Sequence, residues 1–381
     1  MASTTSSLVG RAVVAILSAA RRAALQLPGA LQIPLRNIWQ LVLRASSAGR
    51  PRTKGFRYLL RIAAEKAIFE NQIEVHDLPP ISHYWSNTHL RPILEVHGFS
   101  NPDQFFLENV KKSVLESTPG NIRILSIGSG NCDTEIRLAQ SLRNDGLNSF
   151  IIECVDINER MFERASVLAR SLGVYENLEP MIADFNSLKL LGPYDAVIAN
   201  QSLHHVVELE HLFDQIDESL KESGRFIISD MIGRNGHQRW PEALVIVNEI
   251  WDSMPQRYKY NKQFKRVDDK FVNWDSSGVG FEGIRSQDIL PELIKRFPFE
   301  FFIGYGNVID VFIDRSFGPN LDPDNPEDRT FIDNVHKIDV SMFEKKELTP
   351  THMLAVLRRN SYKGSCTIWN GMLPADCVRR S

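Results

Sequence analysis

The stretch Arg123-Ile-Leu-Ser-Ile-Gly-Ser-Gly-Asn-Cys-Asp-Thr-Glu135 decides the fold. An apolar run ends in Gly128-Ser129-Gly130, and a helical pattern starts at once. Strand, tight turn and helix in that order open a nucleotide-binding α/β unit. Glycines there let the backbone approach a ligand that a side chain would block. The amides at the start of the next helix then face an anionic group. A dinucleotide fingerprint needs a third glycine at position 133, which is Asp133. The turn alone therefore leaves the ligand open, and the following segments decide it.

Working outward, Phe150-Ile-Ile-Glu-Cys-Val-Asp156 reads as a second strand ending in a carboxylate able to accept both hydroxyls of a ribose. Pro180-Met-Ile-Ala-Asp184-Phe185 reads as a third, with a carboxylate for an adenine amino group and an aromatic for its ring. A fourth, Tyr194 to Asn200, runs into Gln201-Ser202-Leu203-His204-His205, and a fifth spans Gly224 to Asp230. Phe299 to Gly304 and Thr351 to Leu357 read as the sixth and seventh strands.

In this order the blocks, across about 120 to 360, resemble a class I S-adenosylmethionine-dependent methyltransferase, of the broad group that includes the quinone-biosynthesis C-methyltransferases. The resemblance implies a Rossmann-like seven-stranded α/β sheet whose last two strands form an antiparallel hairpin, with S-adenosyl-L-methionine as cofactor. It implies that Gly128, Ser129 and Gly130 hold the methionine part, Asp156 with neighbouring Ile157 the ribose, Asp184 and Phe185 the adenine, and that Asn200 lies near the methionyl end. Two departures stand out. The family often has an acid two residues before the first glycine, where this chain has Ser126, so that contact must come from elsewhere or through water. Cys132 replaces a common third glycine.

Methyl transfer from a sulfonium is largely a matter of placement. A hydroxyl acceptor also needs a base, and histidine is the side chain that titrates nearest neutrality. His204 follows the fourth strand at the carboxyl edge of the sheet, in a position resembling the basic histidine of plant-type O-methyltransferases. His204 and His205 are the catalytic candidates, and ordering of the loop is the competing role. His237, Arg239 and Trp240 fall where substrate-side loops come in such a sheet and are candidate acceptor contacts. The four cysteines are scattered, and no His/Cys cluster has metal-ligand spacing, so no metal is expected. The expected reaction is methylation of a small molecule, with a hydroxyl acceptor first. Carbon methylation of a quinone or lipid precursor is the alternative, and a cofactor-binding assembly factor without turnover is a third reading.

Charge divides the 381-residue chain. The first 64 residues hold nine Arg, one Lys and no acid; removing these ten charges from a net of −3 leaves about −13 on the remainder. So acidic a body argues against a nucleic-acid substrate. Residues 1–54 read as a basic leader. Leu8 to Leu27 and Ile33 to Arg44 have amphipathic patterns, which fit a transit peptide of an organelle such as the mitochondrion, a membrane-surface anchor on a cytoplasmic protein, or ordinary basic helices. Residues 55–118 read as a helical preface, 119–360 as the methyltransferase domain with a lid or oligomer-contact insert at 305–350, and 361–381 as a tail without signal.

Overall fold

The structure, a computed structural model, describes residues 53, 55–69, 78–117, 120–278 and 280–379. The leader helices expected at Leu8–Leu27 and Ile33–Arg44 lie outside the described residues. Five parallel strands lead the domain: β1 (Ile122–Ile127), β2 (Phe150–Asp156), β3 (Leu178–Ile182), β4 (Tyr194–Asn200) and β5 (Leu220–Met231). The hairpin partners β6 (Phe299–Tyr305) and β7 (His352–Leu357) are antiparallel to each other, and β7 is also antiparallel to β5. An eighth strand, β8 (Thr367–Ile368), runs parallel to β6 from within the tail, where the sequence carries no signal because two residues are too short for a period. The third strand ends at Ile182, so Asp184 and Phe185 sit in the turn beyond it.

Strands lie in the order β8-β6-β7-β5-β4-β1-β2-β3. The direction of progression reverses between β1 and β4, and ligands of open α/β sheets bind in the crevice at such a point. Both neighbours end in the segments singled out above, Gly128–Gly130 after β1 and Gln201–His205 after β4.

Helices cover both faces, so the central strands are buried on both. Side chains alternate along β1: Ile124 joins one core with Phe105, Phe106, Val110 and Ile136, while Leu125 and Ile127 join the other with Leu212, Phe213 and Ile216. The preface comprises α1 (Phe56–Phe69), α2 (Pro80–Trp85), α3 (Arg91–Val96) and α4 (Pro102–Glu116). Asn101 caps α4 by accepting from the Gln104 amide at 2.8 Å, and Pro102 takes the first helical position, where no amide is missed. Phe105 and Phe106 are fully buried in the core. The sheet's own helices follow: α5 (Asp133–Asn144), α6 (Glu159–Ser171), α7 (Leu209–Ser219), α8 (Pro241–Ser253) and α9 (Ser286–Arg296).

The insert between β6 and β7 contains α10 (Asp310–Ile313) and α11 (Pro326–Glu344). Asn325 caps α11, which buries Ile332, Val335 and Phe343. The insert docks on the preface, where Tyr84 Oη donates to Asp333 at 3.1 Å. Among the described residues no helix is long and apolar enough to cross a membrane.

Candidate functional site

A cavity of about 1610 Å³ opens at the carboxyl ends of β1, β2 and β4, walled by the preface and the insert. A single small-molecule pocket spans roughly 300–1,000 Å³, so this one has room for two ligands side by side. Gly128, Ser129, Gly130, Asp156, Ile157, Asp184, Phe185, Asn200, His204, His205, His237 and Arg239 all line it.

The glycine turn is held by the protein's own packing. Gly128 has φ +72°, and a Cβ there would lie 2.4 Å from Ser202 Cβ. Glycine is thus required by the neighbouring β4 loop, before any ligand is considered. Asp156 caps the turn: Oδ2 accepts from Gly130 N at 3.0 Å and Oδ1 from Asn158 N at 2.8 Å. Burial raises its pKa, against these two amide bonds. Each carboxylate oxygen retains a lone pair for a further donor.

Two buried polar atoms beside the turn have no partner, Ser129 Oγ and Glu135 Oε2. Glu135 springs from the first turn of α5, is 2% exposed, and accepts from Ser126 Oγ at 2.5 Å through its other oxygen. The acid missing at position 126 thus has a counterpart at 135, hydrogen-bonded to the serine that stands in its place. An unpartnered carboxylate oxygen in a cavity wall fits the ammonium of a methionyl group, and Asp156 fits a ribose. These residues suit S-adenosylmethionine. Asn200 is held by donation from Nδ2 to Thr134 Oγ1 at 3.1 Å.

Asp184 is more fully engaged by the protein than its sequence reading implies. Oδ2 accepts from Tyr58 Oη of α1 at 2.6 Å, and Oδ1 accepts from the Asn186 amide and side chain, both at 3.0 Å. Phe185 lines the cavity but is 8% exposed and packs in the core that holds Ile127 and Val155.

Beyond the cofactor end lies a cluster of imidazoles. His204 Nδ1 is 2.7 Å from Oδ1 of Asp230, a residue of β5 with 0% exposure. Asp230 Oδ2 accepts from the Ser202 and Leu203 amides, and Oδ1 from the Met231 amide. Burial alone would raise the pKa of Asp230; His204 and these amides outweigh it and hold it down. His205 Nδ1 lies 2.6 Å from Glu65 Oε1 of α1, off the axis of a true hydrogen bond. Burial disfavours charge on His205, but Glu65 and Glu282 outweigh it and lift its pKa to about 9. Glu282 faces all three rings: Oε1 is 2.6 Å from His237 Nε2 and 3.6 Å from His204 Nε2, and Oε2 is 3.6 Å from His205 Nε2. Burial opposes ionisation of Glu282, yet the imidazoles hold its pKa well below the carboxylate range.

Of the acceptor-side candidates, His237 joins this cluster. Arg239 reaches the cavity as a strut, with Nη1 donating to Asn307 O at 2.6 Å and to Asp310 Oδ2 at 2.9 Å. Trp240 is not in the cavity wall; its ring lies between the guanidinium groups of Arg234 and Arg379. Sequence reasoning missed Glu65, Glu135 and Glu282. Glu135 had one signal, its place in the first turn after the glycines. Glu65 and Glu282 had none, since only folding brings them to the β4 loop.

A family model described as a methyltransferase domain matches residues 119–273. Among curated proteins, 27-O-demethylrifamycin SV methyltransferase of Amycolatopsis mediterranei (strain S699) is 27% identical over 145 residues, 36% of this chain and 50% of that protein. The ubiquinone/menaquinone biosynthesis C-methyltransferase UbiE of Rickettsia peacockii (strain Rustic) is 29% identical over 108 residues, 28% of this chain and 43% of that protein. The chain spans about half the length of the curated relatives it matches. Among solved structures, geranyl diphosphate C-methyltransferase from Streptomyces coelicolor A3(2), with Mg2+, geranyl diphosphate and S-adenosyl-L-homocysteine, is 12% identical, covering 78% of this chain and 98% of that one at a TM-score of 0.42. A likeness of that order carries no functional argument.

Proposed function

We propose that this chain, whose residues 119–273 match a methyltransferase-domain model, is a class I S-adenosylmethionine-dependent methyltransferase that methylates a hydroxyl of a small-molecule acceptor, with His204 as the base. The observation that carries the reading is the pair of His204 Nδ1 and the fully buried Asp230 at 2.7 Å, at the switch point of the sheet and in the same cavity as the glycine turn. Asp230 accepts the Nδ1 proton and fixes the ring, leaving the Nε2 lone pair for the acceptor. The cofactor, when bound, supplies an activated methyl on a sulfonium. Asp156 would hold its ribose and Glu135 its ammonium. His204 Nε2 would take the proton of the acceptor hydroxyl as that oxygen received the methyl and the sulfur kept the bonding pair. Helix α1, held by Tyr58 and Glu65, forms part of the cavity wall.

Calorimetric titration tests the cofactor: S-adenosylhomocysteine binds at micromolar concentration and NADH does not. The opposite result overturns the reading. His204→Ala then lowers turnover by roughly 10² or more, and activity within a few-fold of wild type returns His204 to a structural role. Carbon methylation remains the second reading, favoured by the match to UbiE. Transfer of a carbon-13 methyl separates the two, since a methyl on oxygen and one on carbon differ in chemical shift.

A further inference from the structure

We propose that His204, His205 and Glu282 form a binding site for one divalent first-row transition-metal ion, with an open position facing the acceptor side of the cavity. Their ligand atoms lie within 4.8 Å of one another. Nε2 of each imidazole is 3.6 Å from a different oxygen of Glu282. That is too long for a hydrogen bond. It is close to the separation of about 3.4 Å between ligand atoms in a tetrahedral site with bonds of about 2.05 Å. A small closing movement around an ion meets that geometry.

The surroundings of the two rings point the same way. A metal-bound histidine turns its second nitrogen to a carboxylate or carbonyl, which fixes the ring and strengthens the ligand. Both rings here have a carboxylate near Nδ1, hydrogen-bonded for His204 (Asp230 at 2.7 Å) and close but off-axis for His205 (Glu65 at 2.6 Å), and both Nε2 atoms face Glu282. Three carboxylates therefore converge on two imidazoles in a largely buried place, an arrangement that a dication offsets.

The third ligand is tied to the first two through its flanking backbone. Phe281 N donates to Glu65 Oε2 at 2.9 Å, and Ile284 N donates to His204 O at 3.0 Å. His237 steadies Oε1 of Glu282 at 2.6 Å. Two nitrogens and one oxygen suit zinc, cobalt, manganese or iron better than magnesium or calcium, which prefer oxygen throughout. Three protein ligands beside a cavity leave room for an exogenous oxygen, the pattern of a catalytic metal site and not a structural one. The ion would take the Nε2 lone pair that the base reading assigns to a proton. The site is inferred from ligand geometry and stands whichever acceptor is methylated.

The test is made on the full chain, stripped with a chelator and titrated with Zn2+ and, separately, Co2+. The expected result is one equivalent per chain, with cobalt absorption bands of a four-coordinate nitrogen–oxygen site. Glu282→Gln, close to isosteric, weakens binding at least a hundredfold. Glu65→Gln, which removes the charge at the second nitrogen of His205 and keeps an amide oxygen for the Phe281 amide, weakens it about ten- to a hundredfold. Far-ultraviolet circular dichroism and the thermal midpoint confirm that each variant is folded. Absence of stoichiometric binding by the wild-type chain overturns the proposal, as does binding that folded Glu282→Gln leaves unchanged. Because the readout needs no turnover, failure here leaves the base role of His204 standing, and failure of the base role leaves this test unaffected.

Discussion

Glu135 is the residue where binding and stability oppose each other. Its carboxyl is buried, one oxygen has no partner, and burial, partly offset by the Ser126 bond, raises its pKa to about 7. A carboxyl with a raised folded pKa is held protonated by the fold. Its ionisation therefore costs nothing below the unfolded pKa of about 4.3, costs progressively more as pH rises towards 7, and stays costly above. Glu135→Gln removes that cost. The variant should be more stable than wild type at pH 8 and unchanged at pH 4, measured by urea unfolding. It should also bind S-adenosylhomocysteine more weakly, by about 1.5–3 kcal/mol, because a charged hydrogen bond to the ammonium is lost. Unchanged affinity would remove Glu135 from the cofactor site. Cys132 is a strained position in this turn. It takes φ +56°, the left-handed region a glycine occupies freely, with its side chain buried against the core.

At the scale of the element, α1 is attached differently from the rest. Tyr58 packs with Val207, Phe281 and Ile284 in a small cluster of its own, apart from the two cores of the sheet. Its polar anchors are long-range: Arg61 Nη1 donates to Gly280 O at 2.6 Å and Ser277 O at 3.0 Å, Glu65 accepts from Phe281 N, and Tyr58 donates to Asp184. An element held by few apolar contacts and a handful of polar ones opens locally before the domain unfolds. Arg61→Ala leaves two carbonyls without their donor, at a cost of about 1–3 kcal/mol. Hydrogen exchange should then speed up about tenfold or more across 56–69, while β1, β4 and β5 keep their protection. Uniform acceleration throughout would mean that α1 unfolds only with the whole domain.

For the whole molecule, buried acids set the pH response. Burial raises Glu135 and Asp339 to about 7 and Asp314 to about 6; Asp310 adds to the effect at Asp339, and backbone amides oppose it at Asp339 and Asp314. All three hold protons more tightly folded than unfolded, so stability falls as pH rises from about 4 to 7. Glu282 works in the other direction, since its lowered pKa contributes stability that is lost as pH falls below about 4.3. The thermal midpoint in metal-free buffer should therefore peak near pH 5 and be lower at pH 8 by about 5 °C or more. A midpoint that climbs steadily to pH 8 would show that these carboxyls are hydrated.

The sheet was legible in the sequence because its signals are local. The short, continuously buried runs of β1 and β4, the glycines after β1 and the carboxylate closing β2 all lie within single short segments, and their order along the chain matches the topology. The same segments name Gly128, Asp156, Asn200 and His204, because each stands at a strand end that the sheet must place at one edge. Trp240 shows the limit: its segment borders the cavity, yet the side chain turns to Arg234 and Arg379. The tertiary structure alone brings Glu282 to His204 and His205, sets Glu65 and Tyr58 over the cofactor end, and turns Glu135 back to Ser126. Apolar periodicity is written residue by residue, since burial on a helix or strand repeats with the backbone. A polar contact between distant segments has no period, and it exists only once packing has fixed where each side chain points.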